Sequence, residues 1–283
     1  MKFPPPPIDY DYAVDRITKF IRSYVGNVGA QGVVLGISGG LDSSVAAALA
    51  VKALGPEKVV GLIMPERGVT PPQDVEDAVT LSKMLGIKYI IVEINSVVES
   101  FKSFVGLLGG YDRLALGNLK ARVRMILLYY YANRNGMLVC GTTDKSELLL
   151  GYYTKYGDGG ADIEPIADLY KTQVRELARR LGLPQSIVSK PSSPALWHGQ
   201  LAEEELGLSY DVIDNVLYHY VDLGFDPEDI ARRLGLSLET VYRVVKRVHA
   251  NEHKRAPPPV ARVSKCSVHH DWRMPLLMGA SGV

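Results

Sequence analysis

Cysteine is almost missing from this chain: among 283 residues there are two, Cys140 and Cys266, far apart in sequence. That count excludes a disulfide framework, a CxxC redox pair and a cysteine zinc cage. Long apolar runs are also missing, and without about 20 consecutive apolar residues no membrane-spanning helix is expected. The N-terminal stretch MKFPPPPIDYDYAV has no continuous apolar segment of the secretion-signal kind, so the expected location is the cytoplasm. Neither sign of charge dominates. The 32 basic and 31 acidic residues leave a net charge of +1, which gives no reason to expect a nucleic-acid or membrane partner. No repeat of solenoid length is visible. What remains is a chain with 47% hydrophobic and 22% charged residues, an ordinary globular composition. Its length suits one large α/β domain or two modest ones.

Four short apolar runs carry the fold. Residues 32–37 (GVVLGI), 59–64, 89–94 (YIIVEI) and 137–140 (MLVC) have the β-branched, continuously apolar character of buried parallel strands. Helical spacing is visible over residues 10–25, through Val14, Ile17, Ile21 and Val25, before Gly26 and Gly29 interrupt it. Further helices are predicted over residues 43–53, 73–85 and 112–135. Strands alternating with helices imply a doubly wound parallel α/β sheet flanked by helices. In such folds ligands bind beyond the carboxyl ends of the strands. After residue 200 the pattern is helical to about Asn251, where Pro257, Pro258 and Pro259 end it. Pro4 to Pro7 form a stiff polyproline lead-in.

The first strand runs into Ser38-Gly39-Gly40-Leu41-Asp42-Ser43-Ser44 and an alanine-rich helix. Two glycines allow close backbone approach to a ligand, and the helix start offers free N–H groups and a positive dipole end. Together they form an anion cradle. A Walker A loop would carry a lysine after its last glycine, and here there is none. The carboxylate of Asp42 would repel a phosphate unless a cation lay between them. Asp42 is therefore a candidate magnesium ligand, since magnesium favours one or two carboxylates plus phosphate oxygens. The alternative is that Asp42 merely caps the helix.

This loop resembles the SGGxDS loop of the N-type ATP pyrophosphatases. The resemblance implies an adenine nucleotide alpha hydrolase-like fold and cleavage of ATP to AMP and pyrophosphate. It extends to NAD synthetases of the ammonia-dependent type through four further segments, which are GNLKARVRM (117–125), GTTDKSE (141–147), YYTKYGDGGADIEPIADLYKTQV (152–174) and KPSSPALWHGQLAEEELGLSYDVID (190–214). Glu252-His253-Lys254-Arg255 matches the family's EHKR element. The implied ATP site comprises Gly36, Ile37, Ser38, Gly39, Gly40, Leu41, Asp42, Ser43, Thr142, Lys171 and Ser193, with Ser192 as the alternative to Ser193. The implied deamido-NAD site comprises Arg122, Lys155, Asp162, His253 and Lys254. Mg²⁺ is implied on Asp42 and Glu147, and catalytic roles on Asp42 and Lys171. Asp144 stands where many bacterial members have histidine, and it receives no role.

By this resemblance the reaction is amidation of deamido-NAD through an acyl adenylate, and the enzyme is a homodimer. Residues 1–258 form a single domain with its helical portion at about 205–256, and 259–283 are a tail without an assigned role. Glutamine-dependent relatives carry an amidase domain ahead of the synthetase domain. A phosphate loop that begins at residue 38 leaves no room for one, so free ammonia is the expected donor. Cys140 reads as core packing and Cys266 has no nucleophile's surroundings. Two other readings compete. One is another amidating or thiolating ATP pyrophosphatase. The other is a DNA-binding helix-turn-helix at residues 228–249, against which stands a hairpin packed on the body through Ile230, Leu234, Leu236, Val241 and Val244.

Overall fold

The alternation of side chains along the first strand sets the layers of the molecule. In β1 (Val33–Gly36), Val33 and Leu35 enter one apolar core and Val34 enters another on the opposite face. β2 (Val59–Ile63) repeats the pattern, with Val59 and Ile63 on the first side and Val60 and Leu62 on the second. A strand buried on both faces needs apolar residues at every position, which is why these runs show no polar alternation. The computed structural model of the chain describes residues 3–268 and 271–272.

Among the described residues the sheet has four strands in the order β3-β2-β1-β4, with β3 at Lys88–Ile91 and β4 at Leu138–Val139. All pairings are parallel, and Val33 sits opposite both Val59 and Leu138. The strands predicted at 89–94 and 137–140 are thus shorter than their apolar runs. Val92 and Ile94 still donate to the carbonyls of Ile63 and Pro65, after which the chain turns into a helix that is not among those predicted from the sequence.

The helices, in chain order, are α1 (Tyr10–Asn27), α2 (Leu41–Leu54), α3 (Pro72–Met84), α4 (Asn95–Val105), α5 (Arg113–Asn135), α6 (Lys145–Leu150) and α7 (Lys171–Arg180). There follow α8 (Gln185–Val188), α9 (Ala202–Leu206), α10 (Tyr210–Leu217), α11 (Pro227–Leu234), α12 (Leu238–Ala250) and α13 (Glu252–Arg255). α1, α2, α3 and α7 cover one face of the sheet, and α4 and α5 the other. α1 passes through Gly26 and ends at Asn27, so that glycine does not break the helix as expected. α2 is apolar all round because it is enclosed, as its alanines allow.

The helical portion has its own core. Ile213, Val216 and Leu217 of α10 meet Ile230 of α11 and Val241, Val244, Val245 and Val248 of α12. The α11–α12 pair, which resembled a helix-turn-helix, therefore packs on the body through the apolar face named for the hairpin, with Leu234 and Leu236 half-buried beside it. Gly235 caps α11 in the left-handed conformation, φ 62°. Of the expected tail, residues 259–268 carry no helix, and residues 269–270 and 273–283 lie outside the described residues.

Candidate active site

The phosphate loop forms where β1 ends beneath the N-terminus of α2. Gly39 has φ +76°, a left-handed conformation that suits glycine, and a Cβ there would lie 2.1 Å from the Asp74 carbonyl. Gly40 is the N-cap of α2 and makes no side-chain cap bond, so Asp42, in the first turn, is not spent on capping. The serines tie the loop to itself. Ser44 Oγ donates to the Gly40 carbonyl at 2.6 Å, and Ser43 Oγ lies 3.1 Å from Ser38 Oγ.

Above the loop opens a cavity of about 270 Å³ at the carboxyl ends of the strands. Its wall includes Gly36, Ile37, Ser38, Gly40, Leu41, Asp42 and Ser43 from the loop, Thr142 and Glu147 after β4, and Ser192 and Ser193 from the segment following α8. Arg124, Met125 and Leu128 of α5 close the other side. Arg124 donates to the Met64 carbonyl at 3.0 Å, and burial pulls its pKa down. Ser193 Oγ accepts from Ala195 N at 3.1 Å.

Lys171, the first residue of α7, is fully buried behind this wall rather than on it. Its ammonium lies 2.7 Å from Asp42, 2.9 Å from Asp144 and 2.8 Å from Glu147. Three carboxylates around one ammonium leave an excess of negative charge in a poorly solvated place. Burial pushes the Asp144 carboxyl up to about 6 and raises Glu147 well above the ordinary range, against the pull of Lys171. Burial opposes the charge of Lys171 too, yet the carboxylates of Asp144, Asp42 and Glu147 outweigh it and raise its pKa.

Asp42 Oδ2 is used by Lys171, while Asp42 Oδ1 is buried and has no hydrogen-bond partner. An orphaned carboxylate oxygen at the base of a phosphate loop is chemically suited to a hard cation. Among the described residues no group of three or more His, Cys, Asp or Glu side chains forms a metal cage. A magnesium ion that takes few protein ligands and shares phosphate oxygens fits this arrangement.

The residues expected at the dinucleotide form a second group around loop 151–160. Arg122 donates to the Lys155 carbonyl at 3.2 Å, and Lys155 Nζ donates to the His253 carbonyl at 2.6 Å. Lys254 Nζ holds the carbonyls of Gly151 and Tyr153 at 2.6 and 2.9 Å. Asp162 is engaged differently, accepting from Val139 N at 2.7 Å and from the Tyr129 hydroxyl at 3.1 Å. None of these five side chains is on the wall of the main cavity.

Several residues of the site escaped the sequence reading. Asp144 both caps α6, through Glu147 N at 2.8 Å, and joins the Lys171 cluster. The Asp-x-x-Glu spacing of a capping box was the available signal. Asp214 is buried, accepts from Ser146 Oγ at 2.6 Å and from Thr172 N at 2.8 Å, and so fixes the start of α7. Burial pushes its carboxyl up to about 7. Glu164 lies behind the 141–143 turn with Oε2 accepting from Thr143 N, and burial pushes it up to about 8. Cys140 is buried, and burial raises its thiol pKa, in keeping with a packing role.

The sequence profile of the NAD synthase family matches residues 13–258. An NH(3)-dependent NAD(+) synthetase of Hyperthermus butylicus is 52% identical over 252 residues, covering 89% of this chain and 91% of that protein. The NH3-dependent NAD synthetase of Campylobacter jejuni, solved with a nitrate ion, superimposes with a TM-score of 0.76 at 33% identity, covering 90% of this chain and all of that one. An NMN synthetase from Francisella tularensis superimposes with a TM-score of 0.79, also at 33% identity, over 90% of this chain and 99% of its own.

Proposed function

The chain belongs to the NAD synthase family, and from that premise we propose that its main cavity performs the ATP-dependent amidation of deamido-NAD by ammonia. The products are NAD, AMP and pyrophosphate. The observation that carries the assignment of the site is the phosphate loop with its orphaned Asp42 oxygen, facing a cavity and backed by Lys171.

In the first step an oxygen of the nicotinate carboxylate attacks the α-phosphorus of ATP, and the bond to pyrophosphate breaks. The loop from Gly36 to Ser43 receives the departing pyrophosphate through its N–H groups and the helix dipole. Asp42 and Glu147 would hold a magnesium ion, which when bound would supply charge neutralisation to the phosphates. Lys171 keeps those two carboxylates in place from behind, and Thr142 and Ser193 contact ATP from the opposite walls. In the second step ammonia attacks the acyl carbon of the adenylate, AMP leaves with the carbon–oxygen bonding pair, and the surplus proton passes to water. Arg122, Lys155, Asp162, His253 and Lys254 bind or frame the dinucleotide around loop 151–160. Positioning and charge neutralisation account for most of the rate in such a scheme.

The active form is a homodimer. An apolar surface on α4, α5 and the turn between them supports this reading. Phe101, Phe104, Tyr111, Ile126 and Tyr130 are exposed there, and Leu107 and Leu108 are 84% and 81% exposed. Exposed apolar side chains of this kind mark an interaction surface, and in this reading its occupant is a second copy of the chain. Residues 1–258 act as one unit in the cytoplasm. No nucleic acid partner is expected, because the basic face of α12 is partly consumed internally: Arg243 holds the Gly207 carbonyl and Arg247 that of Leu150. No described helix is long and apolar enough to cross a membrane.

The test is turnover by the purified chain with ATP, Mg²⁺ and ammonium, supplied with either deamido-NAD or nicotinic acid mononucleotide. AMP and NAD formed one for one, with a clear preference for the dinucleotide and loss in Asp42→Ala, is the expected result. A preference for the mononucleotide would move the protein to the activity for which its Francisella neighbour is named. Failure to form NAD by folded protein that binds ATP would overturn the substrate assignment.

A further inference from the structure

Lys190 opens the segment 190–196, on which Ser192 and Ser193 reach the cavity, and the mechanism above gives it no part. Its ammonium donates to the Gly39 carbonyl at 2.8 Å, to Asp74 Oδ1 at 2.8 Å and to Asp77 Oδ2 at 2.5 Å. An ammonium has three donors, so all are used within the protein. Gly39 is the left-handed residue of the phosphate loop and leans directly on the Asp74 backbone.

This contact has a geometric consequence. A trans peptide is planar, so its carbonyl and its N–H point in opposite directions. Holding the Gly39 carbonyl on Lys190 therefore sets the direction of the Gly40 N–H, one of the donors that the loop offers to an anion. In this structure that N–H meets Ser38 Oγ at 3.2 Å. There is also an electrostatic consequence. Asp74 and Asp77 stand one turn apart on α3, beside a loop that must accept a polyanion. Lys190 pairs with both and offsets one of their two charges, in a place where its side chain is 21% exposed and theirs 20% and 8%. Burial opposes the charge on Lys190, but the hydrogen bonds with Asp74 and Asp77 outweigh it and raise its pKa. Burial opposes the charge on Asp77 too, but Lys190, helped by hydrogen bonds from Gln73 and Ser186, outweighs it and lowers its pKa.

The far end of the same segment is pinned as well. Lys120 Nζ, buried and paired with Glu66 at 2.7 Å, donates to the Leu196 carbonyl at 2.8 Å. Among the described residues, the hydrogen bond that joins the segment to the phosphate loop is that of Lys190 to the Gly39 carbonyl.

We propose that Lys190 is a positioning residue for pyrophosphate. It orients the Gly39–Gly40 peptide, screens the pyrophosphate from Asp74 and Asp77, and ties the Ser192–Ser193 segment to the phosphate loop. The proposal rests on the reading that loop 38–43 holds the pyrophosphate of ATP.

The test compares Lys190→Met, Lys190→Arg and the triple variant Lys190→Met with Asp74→Asn and Asp77→Asn, using calorimetric binding of inorganic pyrophosphate with Mg²⁺ and steady-state kinetics. In Lys190→Met, pyrophosphate affinity is expected to fall and the KM for ATP to rise by about tenfold or more, as when one partner of a partly buried charge cluster is removed. The KM for deamido-NAD is expected to change by less than about twofold. The arginine and triple variants are expected to recover part of the pyrophosphate affinity. Should the methionine variant not fold, the same comparison between Lys190→Gln and its triple counterpart decides. Wild-type affinity in the lysine variants, or a parallel rise in both KM values with no recovery in the triple variant, would overturn the proposal. Failure of the wild-type protein to bind pyrophosphate would instead defeat the reading of the loop.

Discussion

The ammonium of Lys171 lies 2.7 Å from Asp42 Oδ2, although 129 positions separate the two residues in the chain. The contact joins the phosphate loop on α2 to the first residue of α7, and Asp144 and Glu147 complete it from α6. It makes the electrostatics of the phosphate loop depend on a residue that does not itself reach the cavity.

Removing the lysine and removing the carboxylate are therefore expected to have different effects. Lys171→Met leaves the buried carboxylate of Asp144 and the half-buried ones of Asp42 and Glu147 around an apolar side chain. A loss of about 3–5 kcal/mol in unfolding free energy is expected, together with loss of activity. Asp42→Asn keeps Lys171 paired with Asp144 and Glu147. Stability is expected to change by less than about 1 kcal/mol, while kcat falls by about 100-fold or more. Urea denaturation alongside ATP turnover separates the two.

Glu164 ties stability to pH. Its folded-state pKa is raised by burial from 4.5 to about 8. The protonated form is thus favoured by folding, and this contribution is complete below the unfolded value. It is lost progressively as pH rises from about 4.5 through 8. Glu164→Gln cannot ionise, so its melting temperature is expected to fall less between pH 5 and 8 than that of the wild type. Near pH 8 the variant is expected to be the more stable by on the order of 1 kcal/mol. Thermal melts at four or five pH values check this. Parallel curves for the two proteins would show that Glu164 does not titrate in this range.

Gly39→Ala places a methyl group where φ is +76° and where the Asp74 carbonyl would be 2.1 Å away. The loop must shift to admit it. A modest loss of stability, about 1–3 kcal/mol, is expected with a much larger loss of ATP binding. Calorimetric titration with ATP, on protein whose circular dichroism is unchanged, measures the difference.

The apolar surface on α4 and α5 is accessible to a simple physical test. Phe104→Glu combined with Tyr130→Glu adds two charges where both side chains are exposed. The double variant is expected to sediment as a monomer and the wild type as a dimer. Identical sedimentation of the two would remove this face from consideration.

Much of the fold was legible because strands buried on both faces must be apolar throughout. Val33 to Gly36 and Val59 to Ile63 show that directly. Less was legible where an apolar run is longer than its hydrogen-bonded ladder. Residues 89–94 read as one strand, yet the ladder with β2 ends at Ile91 and α4 begins at Asn95. The part of the cavity wall formed by the loop was legible too, since Gly36 to Ser43 are contiguous and all but Gly39 line it, and Thr142 and Glu147 follow a strand end. Lys190 was not. Its partners Gly39, Asp74 and Asp77 lie more than 100 positions away, and nothing local marks a lysine as their common counter-ion.

The sequence by itself determined the elements whose cause is local: parallel strands from unbroken apolar runs, the glycine turn from residues free to adopt positive φ, and the helix start that attracts anions. It also contained the motifs by which the family is recognised. Only the tertiary structure decided which charges meet. Asp42, Asp144, Glu147 and Lys171 form one cluster, and Gly39, Asp74, Asp77 and Lys190 another, because the parallel sheet brings distant helix ends to the same edge. Coulomb interactions depend on distance and burial, and neither quantity can be read from spacing along the chain.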